Sequence, residues 1–360
     1  MSRKHIVVLP GDGIGPEVAT AACTVLELAL RHAGVELVMT TADIGGAAID
    51  ACGEPLPTAT LTACRAADAA LLGAVGGPKW ETLRGSDRPE AGLLRIRREL
   101  DLWANLRPIR TRPCLHDASP IRSDRLHGTD VMFVRELTSG IYFGDKVEGD
   151  HQASDQCTYT REEIARVVRR ACELARTRDH RLTSVDKANV LATSRLWRRT
   201  TEDVVRREFP DVQLEHVLVD AMAMHLLQRP SSFDVVVTEN LFGDVLTDEA
   251  SVLAGSLGVL PSAAIGTGRF GLYEPVHGSA PELAGQDVAN PCGAIESAAM
   301  LARHSLELPK VATAIEHAVD EVLAAGIRTR DLDPEATVGC KAFTHAVCER
   351  LLQQPAATRT

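Results

Sequence analysis

Five things are missing from this sequence, and each absence removes a class of function. The nine cysteines are an odd number and include no Cys-x-x-Cys pair, which disfavours thiolate metal sites and a disulfide framework and suits reduced thiols. No apolar run reaches the roughly 18 residues of a membrane span. The amino end offers only four apolar residues before Pro10, too few for a secretory signal, so a cytoplasmic location is expected. Positive charge is not in surplus: 39 Lys and Arg face 49 Asp and Glu, a net charge of −10 that repels phosphate backbones and anionic lipid. Neither nucleic acid nor a membrane is therefore an expected partner. Repeats and low-complexity tracts are absent too, which excludes fibrous and disordered classes. What remains is a globular chain of 360 residues, 45% apolar and 24% charged, enough for about two domains with cores that need no staple.

Apolar runs and helical periodicity alternate along the chain. His5 to Leu9 reads as a buried strand, Pro10 to Gly15 as a loop, and Pro16 opens a helix to about Arg31 with Val18, Ala22, Val25 and Ala29 on one face. Val35 to Thr41, Asp68 to Leu72, Val131 to Val134, Leu182 to Asp186, Leu214 to Val219 and Val235 to Thr238 read as further strands. Helices are expected over Pro89 to Leu100 and Arg161 to Arg176, the latter behind the capping box Thr160/Glu163. The alternation predicts an α/β fold with a layered sheet. Ser139 to Tyr159 fits either a protruding hairpin arm or a plain surface loop.

Four constellations carry chemistry. Pro10-Gly-Asp-Gly-Ile-Gly-Pro-Glu17 is a glycine-rich turn between strand and helix, suited to close approach of a phosphate or ring, or simply to a tight turn. Its G-x-G-x-G spacing matches neither the dinucleotide fingerprint nor a phosphate loop, so a standard Rossmann fold is not expected. In Asn240-Leu-Phe-Gly-Asp-Val-Leu-Thr-Asp248, Asp244 and Asp248 share a helix face; the pair destabilises a helix by roughly 0.2 to 0.5 kcal/mol unless a cation covers it. Mg²⁺ or Mn²⁺, hard ions with oxygen ligands, would do so, and a solvated acidic face is the alternative. Lys187 and Asn189 follow a strand, where open α/β sheets place ligands and where a lysine can be tuned to a base. Arg97, Arg107 and Arg135 lie on separate elements and suit bidentate recognition of a small polyanion, or else surface ion pairs.

Taken in order, these blocks resemble the isocitrate/isopropylmalate dehydrogenase family of metal-dependent β-decarboxylating dehydrogenases over essentially the whole chain. The matching segments are Leu9-Pro-Gly-Asp-Gly-Ile-Gly-Pro-Glu17, Gly73-Ala-Val-Gly-Gly-Pro-Lys-Trp80, Arg88-Pro-Glu-Ala-Gly-Leu-Leu94, Arg135-Glu-Leu-Thr-Ser-Gly-Ile-Tyr-Phe-Gly144, Val185-Asp-Lys-Ala-Asn-Val190, Val219-Asp-Ala-Met-Ala-Met224 and Glu274-Pro-Val-His-Gly-Ser-Ala-Pro281. The resemblance implies two lobes around a large mixed sheet: residues 1–102 with 255–360 as the cofactor-binding domain, and 103–254 as the dimerisation, substrate and metal domain with its arm near 139–159. It implies NAD bound by Ile14, Glu90, Asn189, His277, Gly278, Ser279, Ala280, Glu282 and Asn290. It further implies a divalent metal on Asp220, Asp244 and Asp248, Lys187 and Tyr142 as catalytic base and acid, and a homodimer with shared sites in which Asp220 and Lys187 come from the partner subunit. Glu282 stands where the family usually has Asp; an acidic group there still accepts from ribose hydroxyls and repels a 2′-phosphate, favouring NAD over NADP.

The implied substrate is a malate whose two carboxylates meet Arg97, Arg107 and Arg135, with Asp220 at the hydroxyl through the metal. Leu93, Leu94 and Val190 offer apolar surface to the group at C3. Burying three aliphatic carbons there favours isopropyl by about 2.4 kcal/mol, roughly 50-fold over hydrogen. A carboxylate in that position would be desolvated without a partner, which disfavours isocitrate. The expected reaction is thus NAD-dependent oxidative decarboxylation of 3-isopropylmalate to 4-methyl-2-oxopentanoate, a step of leucine biosynthesis, with tartrate, D-malate or another 3-alkylmalate as alternatives. A metal-dependent hydrolase would leave the NAD-side residues idle, and a non-catalytic dimeric binding protein gives Lys187 and Tyr142 no role.

Overall fold

The computed structural model describes residues 3–354. The chain divides into two compact units: one formed by the residues up to Leu102 together with those from Gly255 on, the other by Trp103–Ala254.

The first unit opens with β1 (Arg3–Gly11), α1 (Gly15–His32), β2 (Glu36–Thr41), α2 (Gly45–Cys52), α3 (Thr58–Arg65), β3 (Ala69–Ala74) and α4 (Pro89–Glu99). The expected loop over Pro10 to Gly15 is shorter than read, because Gly11 pairs with Ala74 and so extends β1. α1 starts one residue before Pro16, which sits in the first turn where a missing N–H costs no helical bond. Ile6, Val7, Val8 and Leu9 are all buried because β1 lies between two parallel neighbours, β2 and β3, and an inner parallel strand reads as a continuous apolar run.

The second unit contains β4 (Ala104–Arg110), α5 (Ser123–Leu126), β5 (Asp130–Glu136), β6 (Lys146–Glu148), β7 (Ala153–Asp155), α6 (Arg161–Arg176), β8 (Arg181–Asp186), α7 (Ala192–Glu208), β9 (Gln213–Leu218), α8 (Val219–Gln228), β10 (Val235–Thr238) and α9 (Asn240–Ala254). Its main strands are ordered β4-β5-β10-β8-β9, with β4 antiparallel to β5 and the rest parallel. Val219, read as a strand end, is instead the first residue of α8. α6 spans the expected residues, and both halves of its capping box form, Thr160 Oγ1 accepting from Glu163 N and Glu163 returning the bond to Thr160 N at 2.7 Å. Of the two readings of Ser139 to Tyr159, the hairpin holds: β6 and β7 pair antiparallel and are exposed throughout.

The chain then returns to the first unit with β11 (Pro261–Ile265), β12 (Gly271–Pro275), α10 (Cys292–His304), α11 (Pro309–Ala324) and α12 (Cys340–Gln353). β12 pairs parallel to β3 and antiparallel to β11, giving the order β2-β1-β3-β12-β11. α10 is buried from Cys292 through Ala302 and packs against β11, β12, α1 and α11. Its alanines at 294, 298, 299 and 302 let all four neighbours approach, so this helix shows no polar stripe to a periodicity reading. Each larger apolar side chain in this core, such as Leu26 or Ile295, contributes about 1.5 to 3 kcal/mol by leaving water.

Candidate functional site

Parallel strands end along one edge of a sheet, and in both units several of the expected residues follow those ends, while Arg107 lies within β4 and Glu90, Leu93, Leu94 and Arg97 on α4. In the first unit the loops after β1, β3 and β12 interlock. Asp12, 4% exposed, accepts from the backbone N–H groups of Gly46 at 2.8 Å, Ala47 at 2.7 Å and Gly76 at 2.8 Å. Burial still pushes its carboxyl up from the usual range, against the pull of those three bonds. Ile14, also buried, donates its N–H to Ser279 O at 2.7 Å. Gly13 has φ +59° and a Cβ there would stand 2.0 Å from Ser279 O, so both backbone angle and space require glycine.

The remaining cofactor candidates of this unit sit on the same loops. His277 keeps its Nδ1 2.9 Å from Gly278 O, its Nε2 is buried without a hydrogen-bond partner, and burial holds the ring below its ordinary pKa, in the neutral form. Gly278 is exposed and open: no heavy atom lies within 4 Å of a Cβ built on it. Asn290 is buried, its amide donating to Asp331 at 3.0 Å and its oxygen accepting from Cys292 N. Ala280 adopts φ +36°; Glu282 and Glu90 are exposed, and Glu90 Oε1 lies 2.7 Å from the place a Cβ of Gly76 would take. A neutral ring nitrogen seeking a partner beside an open glycine loop suits a flat heteroaromatic guest. Leu93 and Leu94 are half-buried on α4, and the buried Arg97 donates to Glu274 Oε1 at 2.5 Å.

In the second unit Arg135 is the penultimate residue of β5, Asn240 and Asp244 follow β10, Lys187 follows β8 and Asp220 follows β9. Asp244 and Asp248 share a face of α9, and what covers them is the arginines. Arg135 donates to Asp244 Oδ1; Arg107 approaches the same oxygen at 3.5 Å and Asp248 Oδ1 at 3.3 Å. Neutral acceptors orient both forks. Asn240 Oδ1 takes Arg135 Nε at 3.0 Å and Nη2 at 2.8 Å, while Asn105 and Thr247 take Arg107 Nε and Nη1 at 2.7 and 2.6 Å. Tyr142 donates to Asp244 Oδ2 at 2.7 Å, with the Arg135 guanidinium 5.6 Å from its ring. Burial and then that carboxylate push the phenol up to about 12, so its proton is held at neutral pH. Burial also raises the Asp248 carboxyl, Arg107 pulling it down and Asp244 adding to the rise.

Lys187 Nζ donates to Asp220 Oδ1 at 2.5 Å, and the lysine holds that exposed carboxyl below its usual range. Asp220 does not join Asp244 and Asp248 within one chain. Among the described residues, the three metal-ligand types whose atoms come within 4.8 Å of one another are Glu17, Asp287 and Cys340 in the first unit. Asn189 and Val190 are exposed, Val190 by 63%. Sequence reasoning passed over Asp12, Asn105, Asn240, Thr247 and Glu274, which hold the loops and the arginines. Asp12, Asn240, Thr247 and Glu274 stood inside the quoted motifs, but only burial distinguishes a framing polar residue from a solvated one.

The profile of the isocitrate/isopropylmalate dehydrogenase family matches residues 5–347. The chain is 56% identical over 356 residues to the 3-isopropylmalate dehydrogenase of Rhodopirellula baltica, covering 97% of this chain and 99% of that one. It is 54% identical over 336 residues to that of Bacillus subtilis, 92% of each. Among solved structures it superposes on isocitrate dehydrogenase from Methylococcus capsulatus with a TM-score of 0.86 at 35% identity, covering 98% and 99% of the two chains. A β-decarboxylating dehydrogenase of Thermococcus kodakarensis gives 0.79 at 34% identity, covering 98% and 97%. No described helix is long and apolar enough to cross a membrane.

Proposed function

The chain belongs to the isocitrate/isopropylmalate dehydrogenase family, and from that membership we propose that it oxidises and decarboxylates 3-isopropylmalate with NAD⁺, a step of leucine biosynthesis in the cytoplasm. The observation that carries the reading is identity of 50 to 57% over nearly the whole chain to 3-isopropylmalate dehydrogenases, against 35% to the isocitrate dehydrogenase structure. The tartrate, D-malate and other 3-alkylmalate alternatives are not favoured by those relatives.

The donor sets fit the groups this chemistry needs. Asp244 and Asp248 with Asp220 offer hard carboxylate oxygens suited to Mg²⁺ or Mn²⁺, and the neutral His277 beside Gly278 suits an adenine. When bound, NAD⁺ would supply the hydride acceptor and the divalent cation would supply Lewis-acid stabilisation of developing negative charge. Arg97, Arg107 and Arg135 are assigned the substrate carboxylates. Arg107 and Arg135 and a divalent cation are alternatives for the same aspartate oxygens, so on loading these guanidiniums turn from protein carboxylates to substrate. Lys187 Nζ takes the hydroxyl proton, and Tyr142 Oη, held protonated, delivers one to C3 after CO₂ departs. Leu93, Leu94 and Val190 are the surface for the isopropyl group. Ile14, Glu90, Asn189, Ser279, Ala280, Glu282 and Asn290 complete the NAD⁺ assignment. Asp220 and Lys187 act on the site of a second copy, which makes the working unit a homodimer.

The test is purified protein with Mn²⁺ and NAD⁺, offered 3-isopropylmalate, isocitrate, D-malate or tartrate, with reduced cofactor followed by absorbance. NADH formation from 3-isopropylmalate at roughly 50-fold higher kcat/KM than from D-malate is expected; preference for isocitrate or no NADH from any of the four would refute the reading.

A further inference from the structure

Lys187 stands in a turn that α7 holds from one face. At helical spacing, Trp197 Nε1 donates to Ser184 Oγ at 3.2 Å, Ser194 Oγ accepts from Lys187 N at 3.0 Å, and Arg198 grips Asp186 with both arms, Nε to Oδ2 and Nη2 to Oδ1, each at 2.9 Å. Asp186 is 1% exposed, and its Oδ1 also accepts from Ala188 N at 2.8 Å. One carboxylate therefore fixes the residue before Lys187 and the residue after it. The Lys187 carbonyl accepts from Val190 N at 3.0 Å and Leu191 N at 2.9 Å, which closes the turn just ahead of α7. The other groups near Asp186 are weaker partners. His216 Nδ1 stands 3.9 Å away, with its Nε2 turned to Glu202 at 3.4 Å. A bidentate fork accepts one orientation of the carboxylate where a point charge accepts many. The fork thus sets the direction of the turn as well as neutralising a buried charge.

We propose that Arg198, acting through Asp186, is a positioning residue that aims Lys187 at the substrate hydroxyl, with Ser194 as the second clamp on the same turn. The inference rests on Lys187 being the base. A misplacement of about 1 Å at such a group lowers turnover by as much as 10²-fold.

The experiment compares wild type with Arg198→Lys, which keeps the charge and loses the fork, and with Ser194→Ala. The measurements are kcat per NAD⁺-binding site, KM for 3-isopropylmalate, and the isotope effect of deuterium at C2, all well below the melting temperature. In Arg198→Lys, kcat per site should fall about tenfold while KM moves less than twofold, and the isotope effect should rise as transfer from C2 limits the rate. A merely structural contact would change the number of competent sites and leave kcat per site and the isotope effect at wild-type values; that result overturns the proposal. Should Arg198→Lys not fold, Ser194→Ala decides by the same criteria. Lys187→Ala runs in parallel. If it is inactive and the clamp variants behave as wild type, the positioning role alone fails; if it is active, the base assignment fails and the positioning role with it.

Discussion

Around the glycine-rich loop of the first unit, three backbone N–H groups converge on the single carboxylate of Asp12. At α9 of the second unit, two carboxylates converge on two guanidiniums, each also held by a neutral side chain. The first arrangement is a main-chain cradle whose partners cannot leave without opening three loops. The second consists of charged groups with alternative partners, since a cation can replace an arginine on an aspartate and a substrate carboxylate can replace an aspartate on an arginine. A dinucleotide site needs a fixed shape, whereas a site that loads a metal and an anion together needs partners that exchange.

The sharpest division between the two regions should come from Lys187→Ala, expected to lower NADH production by roughly 10³-fold while NAD⁺ binding, followed by titration calorimetry, stays intact. Asp12→Ala should do the reverse. It strips a charged acceptor from three N–H groups at about 1 to 3 kcal/mol each, so NAD⁺ affinity and the melting temperature fall together while Mn²⁺ binding at the second unit persists. Metal removal by EDTA should abolish turnover yet leave the second unit folded, because Arg135 and Arg107 already neutralise Asp244 and Asp248; a collapse in its hydrogen-exchange protection would show that the cation is structural.

The smallest effect is opposite drift with pH. Burial pushes Glu136 of the second unit from 4.5 up to about 7, so the folded state keeps a proton that the unfolded chain releases, and that contribution declines as pH rises from about 4.5 to 7. Burial lowers His277 in the first unit, so the unfolded chain binds a proton that the folded state refuses, and stability there is lost as pH falls below its ordinary 6.5. Hydrogen exchange of each unit between pH 5 and 7 should therefore show protection falling with pH around Glu136 and rising around His277. Parallel trends would contradict it.

The same contrast explains what the sequence made legible. β1, β2, β3, β5, β8, β9 and β10, α6 with its capping box, and the Asp244/Asp248 face were readable because short-range pattern determines them: an apolar run, a side-chain cap, a spacing of four. α10 was not read, since a helix buried on every side has no polar stripe to reveal its period. β11 and β12 were not read because Pro261-Ser-Ala-Ala-Ile265 and Gly271-Leu-Tyr-Glu-Pro275 mix Pro, Gly and polar residues and offer neither an apolar run nor alternation. In the site, charged residues at strand ends were visible as candidates, but their partners were not. Asn240 looks the same on paper whether it meets water or the Arg135 fork at 0% exposure.

β12 completes its sheet beside β3, with Tyr273 opposite Leu71. During synthesis, the amino-terminal strands must wait for a partner that leaves the ribosome roughly 200 residues later, on the order of 10 to 40 s at ordinary elongation rates. Trp103–Ala254, contiguous in the chain, can finish folding in that interval. The nascent β3 edge is unpaired meanwhile, a row of free N–H and C=O groups open to pairing with another chain.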